Sequence, residues 1–373
     1  MLIRRSGESA QPLGVIGSLK AGFEIVSRRP LLIALPVGMD LLLWLAPRLS
    51  LDPAWVADWV NSYVALAGAG GALDPANASQ IDQLAAFLAE VLERFNLFTL
   101  VSVAPLLSVP SLTAHRTWYY RIAAASPLGE RQALLVGGVG GAAAWTGLLL
   151  PLGLLLAFLY LISLARPVHR LGRKRLREPL GSPRSPDSDP FSAEDRRSRW
   201  LGYARRLGDL FLFAGCALLA IGIAFPIVAG SLAASSSVSP GLGVAMGMLG
   251  SGLAYYIGLQ LAFVVPAIVL GGRHLLPAIR ESVTILYIDP RATVGFFLAV
   301  LLTYQLSGAL WSLAEPDSWG LAASIVGNAC VGTGLTAGAF VFYQERAVRL
   351  SRARASAERA SRSSDDSEEK AEE

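Results

Sequence analysis

The chain has 373 residues, 53% of them hydrophobic and 16% charged, with a net charge of +4 and a mean hydropathy of +0.49. A soluble domain carries about 25% charged residues, so a water-soluble globule is excluded. Two cysteines, Cys216 and Cys330, lie in apolar runs and exclude a disulfide framework; with three scattered histidines (His115, His169, His274) they offer no metal-ligand spacing.

Six apolar runs dominate: residues 30–46, 133–165, 210–230, 242–271, 292–314 and 321–342. Each reaches or approaches the ~20 residues that an α-helix needs to cross hydrocarbon. The expected fold is all-α, a polytopic transmembrane helix bundle of six spans with amphipathic cytoplasmic helices and an external helical cap. No small-residue cleavage site follows the first run, so that span is expected to act as its own insertion signal.

Residues 1–29 form a cytoplasmic N-terminus in which Ile16, Leu19, Phe23 and Val26 make an apolar helical stripe, and Pro30 opens the first span. Asp40 lies ten residues further on, ~15 Å deep by helical rise. A carboxylate at that depth needs a partner, water or a proton. It is either part of a proton- or cation-coupled site or a hydrogen-bonded lock between helices.

Residues 30–165 read as a first membrane hairpin with an external helical insertion at 50–131. Within it, Trp55, Trp59 and Tyr63 fall at helical spacing over 53–67, and Ile81, Leu84, Leu88, Val91 and Phe95 over 79–95. These helices either lie on the membrane domain or its interface or act as a gating lid. The segment 97–113 is apolar but interrupted by Pro105 and Pro110, and is expected to be re-entrant or interfacial. His115, Arg116, Trp118, Tyr119, Tyr120 and Arg121 then read as an interfacial belt. Residues 133–165 are expected to form one long span.

Residues 166–206 form a basic linker, with a Pro-, Ser- and Asp-rich stretch at 178–195. A four-span region follows over 207–345, and an acidic tail over 346–373 is expected to be disordered. Positive charge marks the cytoplasmic side. Arginines at 4, 5, 28 and 29, throughout 166–206, and at 346, 349, 352 and 354 place both termini inside.

The chain contains an echo of itself. Leu276, Ile279, Val283 and Leu286, followed by Pro290, repeat the first stripe and its proline at an offset of 260, with Arg280 matching Lys20. Trp200, Tyr203, Leu207 and Leu210 form a weaker third copy without a proline. The implied unit is an interfacial amphipathic helix followed by a membrane hairpin, used three times.

The candidate intramembrane polar site comprises Asp40, Gln260, Gln305 and Asn328. Small residues recur every four positions at Gly320, Ser324, Asn328, Gly332 and Thr336, a spacing that lets helices approach closely. Lys20, Arg28, Arg29 and Arg280 are the candidate interfacial cations, with membrane lipids, and anionic headgroups in particular, as partners. Orientation accounts for the other arginines, so nucleic acid is not expected. No Walker, Gly-x-Ser-x-Gly or His-Glu-x-x-His motif occurs, and neither catalysis nor a cofactor is expected.

The run Ser18-Leu19-Lys20-Ala21-Gly22-Phe23 with Arg29-Pro30, and its echo Ala278-Ile279-Arg280-Glu281-Ser282 with Pro290, resembles bacterial six-span proteins that include the membrane domain of glycerophosphodiester phosphodiesterases. The phosphodiesterase domain itself is missing, and its paired His-Arg and Glu-Asn ligands have no counterpart, so the resemblance implies architecture and no enzymology. Residence in a bacterial plasma membrane follows from it. The expected function is transport of a small solute or lipid, or an accessory role in it; the alternative is a non-transporting, lipid-organising scaffold acting through its interfacial helices.

Overall fold

The computed structural model describes residues 13–52, 95–102, 109–114, 125–177, 196–311, 313–315 and 317–372, with a few single positions between 54 and 86. Most of the expected helices over 53–67 and 79–95, the aromatic belt at 115–121 and the linker at 178–195 lie outside the described residues.

Nine helices carry the described chain: α1 (Val15–Arg28), α2 (Ala34–Leu45), α3 (Gly138–Arg177), α4 (Arg196–Val238), α5 (Pro240–Leu261), α6 (Val264–Val269), α7 (Leu275–Ile288), α8 (Pro290–Trp311) and α9 (Gly320–Glu372). Five stretches are long and apolar enough to cross a bilayer: Gly138–Gly172, Trp200–Ala224, Gly241–Val269, Pro290–Trp311 and Gly320–Ala353. The molecule is an all-α, multi-pass integral membrane protein.

The sixth expected span is shorter. Pro30–Ile33 winds as a 3-10 turn before α2, and Pro47 bars the residue before it from helical geometry. Together these elements rise about 26 Å, a little under the ~30 Å of a hydrocarbon core.

One further expectation is corrected. The second span starts at Gly138 rather than 133, because residues 133–136 form a strand. That strand, β4 (Ala133–Val136), pairs in parallel with β1 (Arg48–Leu51), in the register Arg48↔Ala133 to Leu51↔Val136. Gly138, at φ +76°, turns strand into helix in a conformation that favours glycine. β2 (Ala125–Ser126) and β3 (Gly129–Glu130) make a small antiparallel pair. The fourth span is interrupted between α5 and α6. Pro266 has no N–H to bond the carbonyl of residue 262, and a neighbouring helix repairs the break. The Ser282 hydroxyl of α7 donates to the Gln260 carbonyl at 2.6 Å and accepts from the Phe263 N–H at 3.1 Å.

Contacts divide the chain into two units: residues 1–32, 161–304 and 333–373, and residues 33–160 and 305–332. In the first, Phe342 of α9 stacks on Phe296 at 4.3 Å and on Phe263 at 5.7 Å. Buried Glu281 accepts from Arg273 Nε at 3.1 Å and from the Tyr343 hydroxyl at 2.7 Å. Arg346 bonds Asp289 at 3.3 Å and lies 3.2 Å over the Phe342 ring.

The internal echo is reproduced in backbone detail. α1 and α7 each have 14 residues, displaced by 260. Their C-caps match: Arg29 at φ −141°, ψ 71° and Asp289 at φ −136°, ψ 66°. The buried positions Ser18, Ala21, Gly22, Ile25 and Val26 map onto Ala278, Glu281, Ser282, Ile285 and Leu286. The buried face shares only Val26 and Leu286 with the apolar stripe, for Ile16 is 81% and Leu276 70% exposed. Hydrocarbon does not drive large apolar side chains inward, and small residues win the close contacts. The third copy merges into α4 without a break, consistent with its missing proline.

Gly22 is the tightest of these contacts. A Cβ there would run into the backbone of Gly334 and Gly338 on α9, and backbone cannot swing aside as a side-chain tip can. Gly22→Val is expected to cost about 1–3 kcal/mol, as overpacking does, and to lower the thermal unfolding midpoint of the full chain in detergent. Gly38→Val, where a Cβ meets open space, is expected to leave the midpoint nearly unchanged.

Candidate functional site: a carboxylate clamp

The second unit is built around Asp40. α2 buries Pro36, Met39, Asp40, Leu43 and Trp44, the three-and-four spacing of one helical face. Trp44 packs with Leu112, Leu321 and Ile325 and meets Trp319 edge-on at 5.8 Å. This apolar cluster places the carboxylate beside residues 111–114 and leaves it 0% exposed.

Four donors converge on it. Oδ1 accepts from the Ser111 hydroxyl, from the Thr113 hydroxyl at 2.6 Å and from the Thr113 N–H at 3.2 Å. Oδ2 accepts from the Leu112 N–H at 2.8 Å. The Ser111 hydroxyl also accepts from the Ala114 N–H at 3.1 Å. Residues 112–114 open a helical turn, and the first N–H groups of such a turn have no carbonyl upstream. Asp40 and Ser111 supply the missing acceptors, and a carboxylate also complements the positive end of the local peptide dipoles.

Two more polar contacts brace the clamp. Arg131 Nη1 donates to the Leu43 carbonyl at 2.7 Å, covering an acceptor in the last turn of α2. Burial, and then the nearby Arg48, press the Arg131 pKa below its ordinary value. Asn96 accepts from the Leu49 and Phe98 N–H groups, each at 3.2 Å, and so ties β1 to the 3-10 turn Leu97–Val101.

The other candidate polar residues have different surroundings. Ile325 touches the Leu112 cluster, and a Cβ at Gly332 would strike Pro110. Asn328, three residues from one and four from the other, shares that helix face. It is 3% exposed, and its Nδ2 has no hydrogen-bond partner among the described residues. Gln305 sits on an exposed face of α8. Gln260 belongs to the other unit, where its carbonyl receives Ser282. The interfacial candidates Lys20, Arg28, Arg29 and Arg280 are all exposed; Arg28 pairs with Glu24 at 2.5 Å on the surface.

Asp40 therefore draws its partners from Ser111 and Thr113, neither of which was among the candidates. Their signal was present in Pro110-Ser111-Leu112-Thr113, where a proline is followed by side chains that cap helix starts.

Asp40→Asn turns one acceptor oxygen into a donor facing donors. The expected loss is about 1–3 kcal/mol, the cost of an unsatisfied buried group. Unfolding of the full chain in detergent should rank Asp40→Ala as most damaging, then Asp40→Asn, then Thr113→Val. An Asp40→Asn chain as stable as the original would remove the clamp from the stability of this unit.

Comparison with protein-family models, with curated proteins and with solved structures finds no match.

Proposed function

We propose that this integral membrane protein is a non-enzymatic lipid-organising protein acting at the inner leaflet through α1 and α7. One observation supports this above the others. The two helices are repeats of one design, each with a narrow buried face, exposed large apolar side chains such as Ile16 and Leu276, and exposed cations at Lys20, Arg29 and Arg280. Apolar side chains beside cations suit the boundary between acyl chains and anionic headgroups. Pro30 and Pro290 then turn each helix into the bilayer.

Transport is the second reading, and Asn328 is its remaining support, through a buried amide with an unfilled donor beside the Asp40 clamp. Asp40 itself speaks less for transport than its depth suggested. A carboxylate already holding four donors and shielded by Trp44 and Leu112 must break those bonds before it can exchange a proton or cation.

The test uses the full chain in bilayers of mixed phosphatidylglycerol and phosphatidylethanolamine, with spin-labelled versions of each lipid. The original chain should hold the labelled phosphatidylglycerol preferentially. Replacing Arg28, Arg29 and Arg280 together by glutamine should lower that preference by roughly fivefold per charge, from ~1 kcal/mol for each cation near a charged surface. An unchanged preference would remove the interfacial role. Proton entry into vesicles that is present with the original chain and lost in Asp40→Asn would favour transport instead.

A further inference from the structure

An open groove runs between α5 and α8, within a single unit of the chain. It extends from Ser251 to Ala262 on one wall and from Val294 to Tyr304 on the other, and encloses about 680 Å³, within the usual range for small-molecule sites. No charged side chain lines it, and its only side-chain hydroxyls are those of Ser251, Tyr255 and Tyr304. Gly258 opens its middle, since a Cβ there would meet nothing within 4 Å. Phe297 and Leu301 form part of the opposite wall.

We infer that this groove holds one acyl chain of a membrane phospholipid whose phosphate is met by Arg291. Length argues for the acyl chain. From Ser251 to Ala262 and from Val294 to Tyr304 a helix rises about 15–17 Å, half of the ~30 Å hydrocarbon core, which is the reach of a lipid tail from one leaflet. Both walls belong to membrane-crossing stretches, so the open side of the groove faces hydrocarbon. Charge argues for the headgroup. Arg291 is exposed and stands one helical turn before Val294, at the end of the groove where α7 hands over to α8. No described ion pair engages it. Arg280, on α7, is exposed as well. Asp289, two residues before Arg291, already bonds Arg346, and Glu281, next to Arg280, is held by Arg273 and Tyr343. A tail in the groove and a phosphate at Arg291 would be one molecule. The site gives the lipid-organising function a defined binding position and rests on that reading.

The experiment is native mass spectrometry of the full chain, purified in detergent supplemented with dioleoyl phosphatidylglycerol or dioleoyl phosphatidylethanolamine. The original chain should retain one tightly held phospholipid. Gly258→Trp places its Cβ in open space and its ring in the groove, and the lipid-bound fraction should fall about tenfold. Gly252→Trp, equally open but off the groove, controls for folding and should retain the lipid. Arg291→Gln should keep a lipid but lose the preference for phosphatidylglycerol. Full retention in Gly258→Trp would overturn the inference. So would a shift from dimer to monomer in that variant, because the groove would then seat a second copy. Loss of lipid in Gly258→Trp while the Arg28, Arg29 and Arg280 replacement changes nothing would leave the groove standing and the interfacial role rejected; the reverse pattern would reject the groove alone.

Discussion

Hydrocarbon offers no hydrogen bonds, so wherever an apolar chain stops being helical something within the protein must take up the freed backbone groups. This molecule does so with side chains sent from other elements. Ser282 bonds both sides of the break between α5 and α6. Asp40 takes the N–H groups of residues 112 and 113, and Arg131 covers the Leu43 carbonyl. Each repair also fixes one element against another, so the same bonds that satisfy the backbone set the packing.

The repeat shows how one unit is reused under that constraint. At offset 260, Gly22 corresponds to Ser282. Gly22 lets α1 press backbone to backbone on α9. Ser282 occupies the same place on α7 but faces an interrupted helix, and carries the hydroxyl that the interruption needs. The third copy has neither device. There Arg166 Nη2 reaches the Tyr203 hydroxyl at 3.4 Å, bringing the start of α4 to α3. Within this unit each entry helix thus meets the second span of another hairpin: α1 on α9, α4 on α3 and α7 on α5.

Much of this architecture was legible in the residues, and the misses have physical causes. Run length located the long spans, since bilayer thickness imposes it. The echo was legible because Pro30 and Pro290 mark the same junction. Which of its faces is buried was not read from the sequence, because in lipid an apolar stripe does not by itself mark the inward face. The strand at 133–136 could not be read alone, for its partner is 85 residues earlier. Asp40 was singled out by depth, and its partners lie 71 to 73 residues away, in a segment interrupted by prolines. Gln260 and Gln305 have other surroundings, and free N–H groups at a helix start suit a carboxylate more directly than an amide.

The exposed surface carries the remaining argument. Only 11% of the apolar window of α8 and 17% of that of α4 are buried, against 67% for α9. Most of α4 and α8 thus faces outward, and a hollow in their surface at bilayer depth must fill with lipid or with another protein. Between α5 and α8 such a hollow has a cation at one end and the length of one leaflet. A second protein helix would have to seat against a wall interrupted by Gly258 and flanked by an arginine with no ion pair among the described residues. A phospholipid satisfies both features with one molecule, because its flexible tail takes the shape of the wall and its phosphate meets the charge.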